Sequence, residues 1–302
     1  MSLRELLILG TASQVPTRHR NHNGYLLRWD GRGLLFDPGE GTQRQMIRSG
    51  VSATDITRIL ITHFHGDHCL GLPGIIQRIS LDRVPHQVDV HFPASGKKFF
   101  DRLQFASIYD NQAHIRPRGQ RSEGILHSDE AFTIEGRRLK HGVESWGYRI
   151  KEPDGVRFLP DRLEAAGVRG RDIGVLQRAG EVQVGDRLVR VEEVSEPKRG
   201  QSVAVVMDTR RCAAAVELAR DVDLLLIEST YLHTEAKEAR DHGHLTAREA
   251  AEIAVEAGAK NVVLSHFSQR YPSDEPFYDE ASAIHDSVSV ARDGHRFAIP
   301  RR

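Results

Sequence analysis

The run Arg58-Ile59-Leu60-Ile61-Thr62-His63-Phe64-His65-Gly66-Asp67-His68 decides how this chain is read. Its first half has the apolar, β-branched character of a buried strand. The stretch just beyond it, Gly71-Leu72-Pro73-Gly74-Ile75-Ile76-Gln77-Arg78-Ile79-Ser80, reads as a helix. Between the two the chain turns back on itself. Three imidazoles and a carboxylate are left at the edge of a sheet. Alternate residues of an extended chain share a face, so His63 and His65 can point at one metal ion. The tighter turn that follows can aim Asp67 and His68 at a second. Imidazole and carboxylate suit zinc, which takes nitrogen ligands at about 2.0–2.1 Å.

The whole chain is large enough not to need metal as a staple. At 302 residues it can bury roughly three quarters of its unfolded surface. Its 42 basic and 42 acidic side chains cancel, so no global field attracts a polyanion and any nucleic-acid contact must use local patches. The only cysteines, Cys69 and Cys212, imply no disulfide framework and point to a reducing compartment. Cys69 is expected to be a small packed residue. No secretory signal is read at the N-terminus and no apolar run approaches a membrane span, so the expectation is a soluble, cytoplasmic protein with no membrane partner.

Strands are expected at Leu6–Leu9, Tyr25–Arg28, Leu34–Phe36, Arg58–Ile61, Val88–Phe92, Gly147–Ile150, Ser202–Met207, Asp223–Ile227 and Asn261–Leu264. Thr246 with Glu249 makes a capping box, Ala250, Ile253, Ala254 and Ala257 an apolar stripe, and Gly258 a stop, which predicts a helix. Strands and helices mixed through both halves predict sheets covered by helices, an α/β architecture. Residues 151–200 break the rhythm with a polar, glycine-punctuated stretch lying between two core strands. It reads as an excursion from a single domain spanning 1–302. Its 155–180 tip carries five arginines against three acids, a weakly basic balance that a solvated loop also shows.

Two close metal ions need more ligands than the first motif supplies. His141 stands just before the Gly147–Ile150 strand, Asp208 closes Ser202–Met207, and His266 follows Asn261–Leu264. Strand ends are rigid supports for precise ligand geometry. Each residue alone is an ordinary loop residue; together with the first motif they form a ligand set. There is no Gly-x-Ser-x-Gly elbow for serine-nucleophile chemistry. Gly39-Glu40-Gly41 is no phosphate loop, because the Glu40 carboxylate would repel one.

Several stretches carry a resemblance. The His-x-His-x-Asp-His motif resembles metallo-β-lactamase-fold hydrolases generally. Pro16-Thr17-Arg18-His19-Arg20-Asn21, Asp37-Pro38-Gly39-Glu40-Gly41-Thr42, His65-Gly66-Asp67-His68-Cys69-Leu70-Gly71-Leu72-Pro73-Gly74, Ile227-Glu228-Ser229-Thr230 and His244-Leu245-Thr246 resemble the ribonuclease Z family within it. The similarity runs from Gly10 to Tyr271. It implies an αββα metallo-β-lactamase sandwich, with 151–200 as an inserted, flexible tRNA-binding arm. It implies two zinc ions per subunit: His63, His65 and His141 on one, Asp67, His68 and His266 on the other, Asp208 bridging. The implied activity is endoribonucleolytic removal of 3′ trailers from precursor tRNA by a homodimer. Asp67 would orient the attacking water, and Glu228 and His244 would relay a proton to the leaving oxygen. Arg18, Arg20 and Asn21 would bind substrate at the acceptor end.

The chain departs from the family pattern in places. Arg18 replaces a lysine, Met207 a glycine and Ile227 a histidine, and the arm lacks a Gly-Pro dipeptide. Asp37 is expected to brace the ligand loop, His22 to lie beside the site, and His91, His114 and His127 are given no role. The alternative is a phosphodiesterase or arylsulfatase of the same superfamily that acts on small substrates, which would share every metal ligand.

Overall fold

The computed structural model describes residues 3–300. Its first half alternates β1 (Arg4–Gly10), β2 (Gly24–Trp29), β3 (Arg32–Phe36), β4 (Ile56–Leu60), β5 (Val88–Pro93) and β6 (Ile115–Gln120) with helices. These are α1 (Thr42–Arg48), α2 (Gly66–Cys69), α3 (Leu72–Leu81) and α4 (Lys97–Gln104). A second sheet opens with β7 (Gly124–Ser128), β8 (Thr133–Leu139) and β9 (Ser145–Lys151). The chain then leaves it for a lobe of β10 (Gly155–Phe158), α5 (Pro160–Ala165), α6 (Arg171–Ala179), β11 (Glu181–Val184), β12 (Arg187–Arg190), α7 (Val191–Val194) and β13 (Ser195–Lys198). It returns as β14 (Ser202–Val206), β15 (Leu224–Glu228), β16 (Val262–Ser265) and β17 (Val288–Val290). Helices α8 (Ala213–Ala219), α9 (Ala236–His242), α10 (Ala247–Ala257) and α11 (Glu275–Ser282) fall between these strands, and β18 (Arg296–Ala298) crosses back to β1. The sheets run β18-β1-β2-β3-β4-β5-β6 and β17-β16-β15-β14-β9-β8-β7.

The strand sequences explain the layering. Leu-Leu-Ile-Leu, Val-Ala-Val-Val and Leu-Leu-Leu-Ile are continuously apolar because both faces of each strand are covered. Leu6 and Ile8 join Trp146, Val203 and Val205 in the core between the sheets. Leu7 and Leu9 turn the other way, onto Ile75, Ile76 and Ile79 of α3. In the second sheet Ala204 and Val206 meet Ala250 and Ile253 of α10. Each buried Leu or Ile contributes about 1.5–3 kcal/mol relative to exposure, so these three clusters hold the sandwich without help from metal.

The expected strands all occur, with ends moved by a residue or two. One shift moves predicted ligands off their strand. β4 ends at Leu60, so His63 and His65 lie in an extended loop beyond the strand rather than on it. The capping box is present: Thr246 accepts from the Glu249 amide at 3.2 Å and Glu249 from the Thr246 amide at 3.0 Å. β6, β7 and β8 escape the sequence reading because their residues are mostly polar and partly exposed. Segment 151–200 is more than a polar loop. It folds as β10 paired with β13, a β11–β12 hairpin and three helices around Leu163, Val168, Leu176, Val182, Val189 and Val194.

Candidate metal centre

Four site residues, the bracing Asp37 and three predicted ligands, follow strand ends on the same rim of the sandwich, while Asp67 and His68 lie in α2. β3 leads to Asp37, β4 to His63, β14 to Asp208 and β16 to His266. Asp37, Asp208 and His266 have positive φ, at 44°, 30° and 64°. Non-glycine residues are uncommon there and cost about 1–3 kcal/mol, a strain that concentrates at functional sites. Here it folds the backbone sharply out of each strand and brings the three side chains together. Two glycines fix the loops: a Cβ on Gly71 would lie 2.0 Å from the Gly39 carbonyl oxygen, and the Gly71 amide donates to Pro38 at 2.9 Å. That contact seats the Asp37 loop against the turn bearing His68.

The side chains form two groups joined by Asp208. His63 Nε2 lies 3.0 Å from His65 Nδ1, which lies 3.3 Å from His141 Nε2. Asp208 Oδ2 faces this group, 3.6 Å from His63 and 3.7 Å from His141. Its Oδ1 faces the other, 3.2 Å from His68 Nε2 and 3.1 Å from His266 Nε2. Asp67 completes that second group at 3.3 Å from His68 and 3.4 Å from His266. Tetrahedral zinc with ligands near 2 Å sets them about 3.3 Å apart, so the spacings fit a metal pair. Asp208 Oδ1 is buried with no hydrogen-bond donor, as a ligand oxygen would be.

Outer hydrogen bonds decide which nitrogen faces inward. The Thr62 hydroxyl donates to Asp37 at 2.7 Å, so His63 Nδ1–H donates to Thr62 at 3.0 Å and Nε2 keeps its lone pair. His68 Nδ1–H donates to Asp37 at 2.8 Å and His141 Nδ1–H to the Gly243 carbonyl at 2.9 Å. The Thr230 hydroxyl donates to Glu228 and accepts from His266 Nδ1 at 2.7 Å. Four imidazoles are thereby fixed with Nε2 toward the cluster. Asp37 performs the bracing expected of it, while Thr62 and Thr230 went unnoticed in the sequence because hydroxyls beside ligands have no spacing signature.

Burial and the neighbouring imidazoles hold His63 neutral, its pKa well below 6.5. Burial opposes charge on His68 too, but Asp208, Asp67 and Asp37 outweigh it and raise its pKa well above 6.5. Burial likewise disfavours the Asp208 carboxylate, yet His266 and His68 bring it well below the usual range. The carboxylates around His68 therefore favour positive charge at this point of the cluster. Beside it, His244 Nδ1 lies 3.1 Å from Glu228, which is fully buried. Despite burial, Glu228 and Asp208 raise His244 to about 9. Its ring lines an open cleft of about 590 Å³ with Asp67, Tyr231 and Arg270.

The predicted substrate residues stand apart from this cleft. Arg18 and Arg20 line a separate groove, on the far side of the 16–21 loop. The Asn21 amide donates to the Glu40 and His22 carbonyls at 2.9 and 3.1 Å, which gives it a bracing task. His22 lines the cleft, and Cys69 is buried, as expected.

Comparison with known proteins gives the family. The family model of the metallo-beta-lactamase superfamily matches residues 17–187, and a beta-lactamase superfamily domain matches 189–267. Ribonuclease Z of Nocardia farcinica is 57% identical over 304 residues, and that of Streptomyces coelicolor 55%, each match covering 100% of both chains. The chain belongs to the ribonuclease Z family. The crystal structure of the short form of human tRNase Z superposes with a TM-score of 0.72 at 26% identity, covering 98% of this chain and 100% of that one. The ribonuclease Z likeness thus spans both sheets and the lobe between β9 and β14. The two-sheet sandwich is the metallo-β-lactamase fold.

Proposed function

We propose that this protein is a metal-dependent endoribonuclease that removes the 3′ trailer from precursor tRNA. The cut leaves a 3′-hydroxyl on the tRNA and a 5′-phosphate on the trailer. The observation that carries the reading is the Asp208-bridged double cluster with His244 and Glu228 at its edge, in a chain collinear with ribonuclease Z relatives. That full-length likeness favours RNA over a small phosphodiester or arylsulfate.

Zinc is the metal this donor set suits best. His63, His65 and His141 would hold one ion, Asp67, His68 and His266 the other, with Asp208 shared. Bound there, the pair would supply Lewis acidity toward phosphoryl oxygens and lower the pKa of a water. The chain's own groups do the rest. Asp67 aligns the attacking water against phosphorus. As the bond from phosphorus to the ribose 3′-oxygen breaks, His244 gives its Nε2 proton to that oxygen. Glu228 keeps the imidazole oriented and charged through Nδ1. Such general-acid help is worth about 10²–10⁴-fold.

A homodimer in which one subunit's lobe clamps tRNA for the other's cleft fits the topology. The lobe leaves β9 after Lys151 and rejoins at Ser202, whereas His141 and Asp208 lie beyond the opposite ends of β9 and β14. Seven strand residues separate these ends by about 20 Å. Ile47, Leu81, Phe105 and Ile108, on or just after α1, α3 and α4, are exposed apolar groups that such an association could cover. No helix among the described residues is long and apolar enough to cross a membrane. A cytoplasmic setting suits the two free cysteines.

Incubation with trailer-bearing precursor tRNA and end-sequencing of the products tests the reaction. Hydrolysis of small phosphodiesters with the precursor left whole overturns it. In His244→Ala, kcat on the precursor should fall about 10²–10⁴-fold with metal content unchanged. Loss of metal in that variant would instead make His244 structural.

A further inference from the structure

The 16–21 loop is a wall between two cavities. On one side, Ser13, Gln14, Val15 and His22 face the metal cleft. On the other, Pro16 to Asn21 line a groove of about 590 Å³ whose remaining walls come from α1 and the segment before β18. The groove is strongly basic: Arg18, Arg20, Arg44, Arg48 and Arg296 line it, against one carboxylate, Asp293. That carboxylate is engaged inward. It accepts from the Asn21 amide at 2.7 Å, the Thr11 hydroxyl at 2.9 Å and the Gln45 amide at 3.0 Å. Burial raises its pKa above 3.8.

Among the described residues Arg18, Arg20, Arg44 and Arg48 form no ion pair, whereas the groove's fifth arginine, Arg296, pairs with Glu5 and donates to the Ser49 carbonyl. Arg4, Arg28, Arg58 and Arg116 each pair with carboxylates. Among the described residues, the Arg18 and Arg44 side chains make no hydrogen bond or ion pair, and the Arg48 side chain bonds only the neutral Gln45 side chain, at 3.2 Å. Arg20 donates to the Tyr271 carbonyl at 3.1 Å and lies over the Phe267 ring. Arg44 and Arg48 stand one turn apart on the exposed face of α1. Like charges at that spacing repel each other across one helical turn. Exposed and facing no paired carboxylate, the two guanidiniums are open to an external anion.

We infer that this groove is a track for consecutive backbone phosphates of the RNA strand adjoining the cut, with Arg44 and Arg48 as its floor. A strand leaving the cleft crosses the 16–21 loop and meets those guanidiniums next. The inference rests on the proposed RNA substrate and extends the contact surface to α1, beyond Arg18 and Arg20. Either flank of the cut, the 3′ trailer or the acceptor strand, offers the same phosphate chemistry.

The test is Arg44→Ala/Arg48→Ala, with Arg44→Lys/Arg48→Lys as the charge-preserving partner. Two lost single-strand contacts should lower the slope of log(kcat/KM) against log[salt] by about 1.4. Between 50 and 200 mM salt the wild type should therefore lose about sevenfold more than the alanine variant. KM should rise with little change in kcat, and the lysine variant should keep most of the slope. A KM defect that grows with trailer length assigns the track to the trailer. An equal defect at all lengths, with weaker binding of trailer-free tRNA, assigns it to the acceptor strand. Direct binding of a single-stranded RNA oligonucleotide decides the matter even if the wild type cuts no precursor. Unchanged oligonucleotide affinity and salt slope in a folded alanine variant overturn the track. A wild type that binds the oligonucleotide through these arginines but leaves precursor tRNA uncut overturns only the proposed reaction.

Discussion

At the residue scale, the centre depends on hydroxyls as much as on ligands. Thr230 holds His266 Nδ1 at 2.7 Å while its own proton goes to Glu228, so one oxygen sets both a ligand tautomer and the position of the acid–base pair. Removing an outer partner of this kind typically costs 10–100-fold in metal affinity or activity. Thr230→Val keeps the shape and deletes the hydroxyl. Chelator competition should show metal held about 10–100-fold less tightly, and Thr230→Ser should restore most of it. Wild-type affinity in the valine variant would mean that packing alone positions His266.

At the scale of elements, the β4–β5–β6 edge contains a second buried polar group unrelated to the metals. Asp89 accepts from Arg58 at 2.7 Å and pairs with Arg116. His91, two residues along β5, is buried with Nε2 unpartnered. Burial first, then the facing Arg58, lowers its pKa to about 4, with Asp89 opposing and His127 and Arg118 adding to the effect. A histidine whose folded pKa lies below 6.5 contributes its full stability above that pH. The contribution is lost as pH falls from 6.5 through about 4. Between pH 7 and 5 the loss is about 2 kcal/mol. His91→Phe should therefore lose less urea stability over that interval than the wild type; equal losses would show that His91 takes up its proton as readily in the folded state as in the unfolded one.

This edge also marks where the sequence stops being readable. β1, β3, β14 and β15 are legible because both their faces are buried, so their residues are uniformly apolar. β6, β7 and β8 have polar, half-exposed sequences whose pairing is set by neighbours remote in the chain. Among site residues, His63 to His68 were legible from density alone, and His141, Asp208 and His266 from their places near strand ends. Arg44 and Arg48 were not. Their meaning comes from the 16–21 loop and Asp293 enclosing them, contacts that span up to 272 positions.

At the scale of the whole molecule, the lobe and the cleft lie at opposite ends of the second sheet, so placement constrains how they cooperate. Gly155 and Lys198 are paired across β10 and β13. Their Cα atoms are about 5 Å apart, close enough for two glycines to replace residues 156–197. The lobe has its own apolar cluster, so this deletion should leave the sandwich folded and metal bound. It removes Arg162, Arg171 and Arg178, which make no ion pair among the described residues, so tRNA affinity and its salt dependence should both fall. Mixing separates a lobe acting on its own cleft from one acting on a partner's. The lobe-deleted chain keeps an intact cleft; full-length His244→Ala keeps the lobe with a defective cleft. If the lobe serves the partner, subunit exchange between them should give more precursor cleavage than the sum of the two alone. Leu81→Glu/Ile108→Glu in both chains should abolish the gain by blocking association. If the mixture never exceeds the sum although exchange is seen by mass, each lobe serves its own subunit, and the 20 Å between root and cleft must be spanned by the tRNA itself.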